Sequence, residues 1–301
     1  MKNKIALFGA TGFLGSYLEA NLSGILVPVN IRKTDWESGI ADSQVFINCI
    51  GKAHDHAGNA TKEDFYFANF HIVKKLFDVF LKSKATLFIH ISSIASTEEY
   101  NRDKSIEEKD EPNPQSFYGK SKYEAEKWLM EQSLPENKRV IILRPPMIHG
   151  VGDKGSLVLL HKIISKGIPY PLASFNNYRS FISLENVLFF IEEIIEKHNH
   201  IKSGIYNISD DESISTKKII EIIKEIENKN IISLNIPKSV IIILAKIGDF
   251  VPIPLNTKRL KKMTGNLEVS NKKIKSTLGI TRLPLTAEEG IRKTIKSFKN
   301  K

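Results

Sequence analysis

Two rhythms of apolar and polar positions alternate along this chain. Short, nearly unbroken apolar runs rich in isoleucine, valine and phenylalanine recur at 5–8, 25–31, 45–50, 87–91 and 140–143. Runs of that length read as strands buried on both faces, the pattern of a parallel sheet. Between them, apolar residues return every three or four positions. Over 64–83, Phe67, Phe70, Val73, Leu76, Phe77 and Phe80 fall on one side of a helix, and 16–22 and the run after Tyr118 share that period. Strands alternating with helices predict an α/β fold with a doubly wound parallel sheet. A helix and strand at 181–195 and 204–209 return to it, and helical periods at 216–226, 239–247 and 278–298 follow.

The first strand runs into Gly9-Ala10-Thr11-Gly12-Phe13-Leu14-Gly15, and a helix follows. Strand, glycine turn and helix in that order are the context a dinucleotide-binding turn requires. Gly9 permits the tight turn, Gly12 lets the backbone approach a pyrophosphate, and Gly15 lets the helix pack close to the strand. Thr11, Phe13 and Leu14 sit where the helix N-terminus offers free N–H groups to phosphate. A plain turn without ligand is the other reading. The strand at 25–31 ends at Arg32-Lys33, and no Asp or Glu occurs between Glu19 and Asp35 to hold a ribose 2′-hydroxyl. Two cations there suit a 2′-phosphate, so NADP(H) is preferred and NAD(H) stays possible. The alternative is that both cations merely face water.

Tyr118 and Lys122 stand four residues apart at the start of a helix, so they rise from one face about a turn apart. A phenol near pKa 10 is a poor acid–base group at neutral pH, and a nearby cation favours its ionised form. In a lysine-rich chain the pair arises easily by chance. The glycine turn upstream changes its weight. Other strand ends on the same edge are candidates too: Ile50-Gly51-Lys52 with His54 beyond, Ser92-Ser93, and Arg144-Pro145-Pro146.

Glycine turn, Ser93, Tyr118 and Lys122, in this order and at about these distances, resemble the extended branch of the short-chain dehydrogenase/reductase superfamily, its nucleotide-sugar epimerases, dehydratases and reductases. The resemblance covers almost the whole chain. It implies a Rossmann-like domain over 1–150, completed by about 181–209, and a smaller C-terminal α/β substrate lobe from 151–180 and 210–301. It implies Tyr118, Lys122 and Ser93 as catalytic residues, with Asn69 supporting the active-site helix. Pro145 would line the nicotinamide, and Ile50, Gly51, Lys52 and Ser92 would contact the cofactor. His54, Ser156 and Arg179 would face substrate, although relatives commonly carry asparagine where Ser156 stands. His54 as an idle loop histidine and Cys49 as a core residue are the blander readings. The stretch 33–41 is shorter than this fold normally allows for a helix and a further strand, so a third strand is expected to be truncated or lost.

Arg144-Pro145-Pro146, Lys154-Gly155 and Asn177-Tyr178-Arg179-Ser180 are similar to a subgroup with 4-keto reductases and 4-epimerases of surface-polysaccharide synthesis. The resemblance therefore implies NADPH-dependent reduction of a UDP-linked 4-keto-6-deoxy-N-acetylhexosamine, with UDP-hexose 4-epimerisation on tightly bound NAD as the alternative. Dehydrating relatives carry Asp-Glu where Ile94 and Ala95 follow Ser93, which argues against elimination. A cofactor-sensing regulator without turnover is a remote reading, since such proteins usually lack the tyrosine or the lysine. The resemblance also implies a homodimer.

Composition narrows this only a little. The 301 residues, 41% hydrophobic and 26% charged, describe an ordinary globular protein. The chain opens on a strand without an apolar leader, and its most apolar run, 240–245, is far short of a ~20-residue span. A cytoplasmic protein without a membrane span is expected. One cysteine excludes an internal disulfide. A net charge of +10 invites a nucleic-acid reading, but the lysines are scattered and often sit beside glutamates. The expected partner is a nucleotide sugar rather than nucleic acid, and no metal is called for.

Overall fold

A computed structural model describes residues 3–53, 59–229, 232–251 and 255–299. Eight strands are present: β1 (Lys4–Phe8), β2 (Ile25–Val29), β3 (Val45–Asn48), β4 (Leu87–Ile91), β5 (Arg139–Arg144), β6 (Met147–His149), β7 (Phe181–Ser183) and β8 (Gly204–Asn207). Six form one parallel sheet in the order β2-β1-β3-β4-β5-β8, and β6 pairs with β7 apart from it. All neighbours in the large sheet run parallel. Their carboxyl ends therefore share one edge, where β1, β3, β4 and β5 release the segments singled out above.

Successive strand side chains point to opposite faces, and this sorts the core. Ile5, Leu7, Val45, Ile47, Ile89 and Leu143 pack on one face with Leu14 and Leu18 of the Phe13–Asn21 helix and Phe190 and Ile194 of the Leu184–Glu196 helix. Phe8, Phe46, Phe88, Val140 and Ile142 pack on the other, against Val73, Leu76, Phe77, Phe80, Ala125 and Leu129. Apolar residues on both sides of each strand explain the unbroken runs in the sequence. A change such as Phe88→Ala opens a cavity there and costs about 3–5 kcal/mol.

β2 is an edge strand, half exposed, and carries Pro28, which such an edge tolerates. Among the described residues no strand lies between β2 and β3, as expected from the short stretch. A short 3-10 turn, Ser38–Ile40, makes the connection, and Trp36 covers the core edge-on to Phe8 with ring centroids 5.8 Å apart.

Several expectations are corrected. The helix read over 64–83 is three pieces: Lys62–Tyr66, a π-helical turn Phe67–His71, and Ile72–Lys82. Phe181 begins a strand rather than a helix. The period read over 278–298 contains a break, because Gly279 ends the Lys272–Leu278 helix in the left-handed conformation (φ +66°) and Ala287–Lys299 begins afresh. A helix at Thr257–Thr264 has too polar a sequence to show an apolar period. The remaining helices, Ser156–Ser165, Thr216–Glu227, Lys238–Ile247 and Ala287–Lys299, surround a second core containing Leu157, Ile164, Ile219, Ile223, Ile241, Ala245 and Ile291. No helix among the described residues is long and apolar enough to cross a membrane.

Candidate active site

The glycine turn follows β1 closely. Gly9 adopts φ +84°, a conformation L side chains rarely take, and a Cβ there would lie 2.9 Å from the backbone of Cys49 and Ile50. A Cβ on Gly15 would lie 2.0 Å from the Gly9 carbonyl oxygen, so only glycine lets this helix sit against the turn. Gly12 is the helix N-cap; no side chain covers its first turn, and no acid stands there to repel an anion. Free N–H groups at the positive end of a nine-residue helix, beside a bare backbone, fit the diphosphate of a dinucleotide. Thr11 and Gly12 are exposed, Phe13 is partly buried, and Leu14 and Gly15 are buried under the turn.

Across the edge, the end of β3 meets the Tyr118 helix. Lys122, 3% exposed, donates from Nζ to the Ile91 carbonyl at 2.8 Å. A Cβ on Gly51 would lie 3.2 Å from that ammonium and 3.1 Å from Asn69 Oδ1, so the missing side chain lets the three groups meet. Asn69 is fully buried in the π-helical turn. Its Oδ1 accepts from Lys52 N at 2.9 Å, and its Nδ2 donates to the Lys52 carbonyl and Ser121 Oγ, each at 3.0 Å. Asn69 thus ties the β3 loop to the Phe117–Met130 helix. The extra residue of a π-turn turns an inward side chain toward this site. Ile50 N is held by Asn48 Oδ1 at 3.0 Å.

Ser93 leaves β4 in an extended conformation and caps the turn Ile94–Ser96, with its hydroxyl near enough to Tyr118 to favour the ionised phenol. The Pro145 carbonyl accepts from Ile94 N at 2.9 Å, fixing that turn against the end of β5. Ser116 caps the Tyr118 helix by accepting from Gly119 N, and itself donates to Glu99. Ser93, Tyr118, Lys122, Asn69, Gly51 and Pro145 are therefore gathered at one end of the sheet, next to the glycine turn.

The electrostatics differ from the expectation in one respect. Burial raises the Tyr118 phenol above its usual value, the Ser93 hydrogen bond opposes this, and Glu99 and Glu126 raise it further. Burial also brings Lys122 down to about 8, against the attraction of Glu126. Cys49 is pushed up to about 12 by burial, which makes it an unreactive core thiol.

The Ser92 hydroxyl is buried and donates to Glu126, so a contact from Ser92 to a cofactor would come from its backbone. Arg32 and Lys33 are both exposed beyond the end of β2. Arg179 lies just before β7, its Nη1 donating to the Gly265 carbonyl at 3.1 Å and the Tyr100 carbonyl at 3.4 Å. Desolvation lowers it to about 10. Ser156 is an exposed first-turn residue of its helix, with Oγ 3.2 Å from the Met147 sulfur. His54 lies outside the described residues.

Sequence reasoning passed over the buried pair Glu126–Arg144. Arg144 Nη2 donates to Glu126 Oε2 at 2.6 Å and its Nε to the same carboxylate at 3.0 Å, while Ser96 Oγ donates to Oε1 at 2.8 Å. Glu126 stands one turn beyond Lys122 and two beyond Tyr118, so it braces the helix carrying both against β4 and β5. Its i+4 spacing from Lys122 was the available signal.

Comparisons with known proteins agree with this geometry. The family model described as "NAD dependent epimerase/dehydratase family" matches residues 5–209. The chain is 28% identical to a UDP-glucose 4-epimerase of Vibrio cholerae, over 99% of this chain and 96% of that one. It is 24% identical to an N-acetyl-α-D-glucosaminyl-diphospho-ditrans,octacis-undecaprenol 4-epimerase of Escherichia coli O157:H7, over 79% and 76%. The crystal structure of UDP-glucuronic acid 4-epimerase from Bacillus cereus in complex with NAD shares the fold, with a TM-score of 0.75, 16% identity and 99% of each chain covered. Both curated relatives are named as 4-epimerases, the second of the two reactions expected from sequence. Glycine turn, strand ends and matched residues together place this chain in the NAD-dependent epimerase/dehydratase family.

Proposed function

We propose that the chain is a nucleotide-sugar 4-epimerase acting on a UDP-linked hexose, with a nicotinamide dinucleotide held at the glycine turn. The observation that carries this reading is Lys122, buried against Gly51 and Asn69 one helical turn from Tyr118, on the edge that also bears the glycine turn. The full-length likeness to a UDP-glucose 4-epimerase puts epimerisation ahead of 4-keto reduction.

A dinucleotide bound there would supply hydride-transfer chemistry at C4, and the C4 epimer results when the 4-keto sugar turns over so that the hydride returns to its opposite face. Ser93 hydrogen-bonds the C4 oxygen and holds it against Tyr118. Tyr118, acting in the ionised form that the Ser93 hydroxyl favours, takes the proton of the C4 hydroxyl as the carbonyl forms and gives it back in the reverse step. Lys122, at about 8, holds a proton at neutral pH and supplies positive charge near Gly51. Asn69 keeps the β3 loop and the helix in register. Arg179 offers a planar fork to a diphosphate, and its weak partners, two backbone carbonyls, are readily exchanged for phosphate oxygens. It would meet the same group in UDP or in the polyprenyl diphosphate named for the second relative. A homodimer would use the helices that flank Phe67, a residue left 64% exposed.

Reduction of a UDP-4-keto sugar with NADPH is the second reading, favoured by the cations Arg32 and Lys33 and by the lack of an acid between Glu19 and Asp35. The test incubates purified protein with UDP-glucose or UDP-N-acetylglucosamine, without added cofactor, and follows the sugar protons by NMR. Appearance of the C4 epimer supports the proposal. No interconversion, with stoichiometric loss of NADPH absorbance on a UDP-4-keto-6-deoxy sugar, overturns it.

A further inference from the structure

The Lys238–Ile247 helix is apolar on two opposite sides. Ile241 and Ala245, one turn apart, are buried in the second core. Val240, Ile243, Leu244 and Ile247, at the i, i+3, i+4, i+7 spacing of a second stripe, are exposed, Ile243 to 57%. Phe250 follows just past the helix end and is 91% exposed. A soluble surface rarely carries so contiguous an apolar stripe unless something covers it.

The charge around this stripe has one sign. The Thr257–Thr264 helix packs against it and presents Lys258, Arg259, Lys261 and Lys262 to solvent. Lys246 is exposed within the stripe's own helix. From 228 to 267 the sequence has a single acid, Asp249. That carboxylate accepts from Thr257 N and Oγ1, at 3.0 and 2.9 Å, as the Thr257 helix begins.

We propose that this face docks on an anionic lipid surface, with the Val240–Ile247 stripe and Phe250 among the acyl chains and the lysines of the neighbouring helix at the headgroups. Charge complementarity selects this occupant. A second copy would set one cation cluster against another. A protein partner is disfavoured because 232–264 contains no Tyr or Trp and is rich in Lys, the reverse of protein interface cores. Apolar residues on one side with cations beside them are the composition of a helix lying in the membrane plane. At ten residues the helix is about 15 Å long, too short to span, so it lies along the surface. The basic helix ends at Gly265, whose carbonyl holds Arg179, so the docked face is continuous with the segment assigned to an anionic substrate. The inference does not depend on the reaction proposed above, because docking is read without substrate.

The test sediments the full chain with vesicles of phosphatidylcholine alone, or with roughly a third phosphatidylglycerol, at low and high salt. Two variants accompany it. In one, Ile243, Ile247 and Phe250 are each changed to Ser; in the other, Lys258, Lys261 and Lys262 are each changed to Glu. The native chain should pellet with the anionic vesicles and stay in solution with the neutral ones. The serine variant should stay in solution with both. The glutamate variant should lose affinity for anionic vesicles by on the order of 100-fold, at about 5-fold for each lysine. All six positions are exposed, so thermal unfolding should match the native chain in both variants, and each checks the other. Failure of the native chain to pellet overturns the proposal, as does equal binding to neutral vesicles or full binding by the serine variant. It is also overturned if sedimentation velocity shows the serine changes splitting a self-associated form while neither form binds vesicles.

Discussion

Replacing Lys122 with methionine should abolish turnover and yet make the folded chain more stable at neutral pH. Lys122 is buried, and burial lowers its ammonium from 10.5 to about 8. At ~1.4 kcal/mol for each tenfold change, carrying the proton into the fold costs roughly 3 kcal/mol. Methionine fills a similar volume without charge. The Ile91 carbonyl loses the donor that held it at 2.8 Å. That loss is worth about 1 kcal/mol, which leaves a net gain of roughly 2 kcal/mol. The sign fixes the pH window. Below pH 8 both folded and unfolded chains hold the proton and the native penalty is full; between 8 and 10.5 the folded chain has released it while the unfolded chain has not, so native stability rises with pH. The advantage of Lys122→Met should therefore be complete near neutrality and gone above the unfolded value. Urea unfolding of both proteins, matched for bound nucleotide, at about pH 6.5 and about pH 10.5 reads it directly. A variant less stable than the native chain at the lower pH would refute the reasoning.

Other expectations follow from the same geometry. Tyr118→Phe removes the proton-carrying hydroxyl and should lower kcat by about 10²–10⁴-fold while bound nucleotide is retained; a variant keeping most of its rate would remove Tyr118 from the chemistry. Glu126→Gln strands the Arg144 guanidinium in the core and should cost about 3–5 kcal/mol in unfolding. It should also move the alkaline limb of the pH–rate profile to lower pH, because Glu126 raises Lys122; an unmoved limb would make Glu126 structural only. Arg32→Asp should weaken NADP binding relative to NAD, checked by competitive binding of the two; an unchanged ratio would leave both cations as solvent-facing residues.

The parts of the molecule visible from sequence are those written in local spacing. The glycine turn shows because three glycines must fall between one strand and one helix, and Gly15 leaves no room for a Cβ. The sheet shows because its inner strands bury both faces, and the missing third strand shows as a shortage of residues. What the sequence hides comes from distant residues meeting. Glu126 and Arg144 lie 18 positions apart and become partners only when the Tyr118 helix crosses the end of β5. The raised Tyr118 and lowered Lys122 are effects of burial, which the spacing of the pair does not show. The π-turn that aims Asn69 inward follows the same helical period as its neighbours and leaves no signature. The Thr257–Thr264 helix buries only Leu260, too little for a period to register.

The most direct test of the central claim gives the protein a UDP-hexose carrying deuterium at C4, in ordinary water and without added cofactor. The account predicts that the C4 epimer appears with its deuterium still at C4, since the hydrogen that leaves is the one returned while Tyr118 exchanges only the hydroxyl proton. An epimer that had lost the label to water, or no epimer from any UDP-hexose, would contradict it.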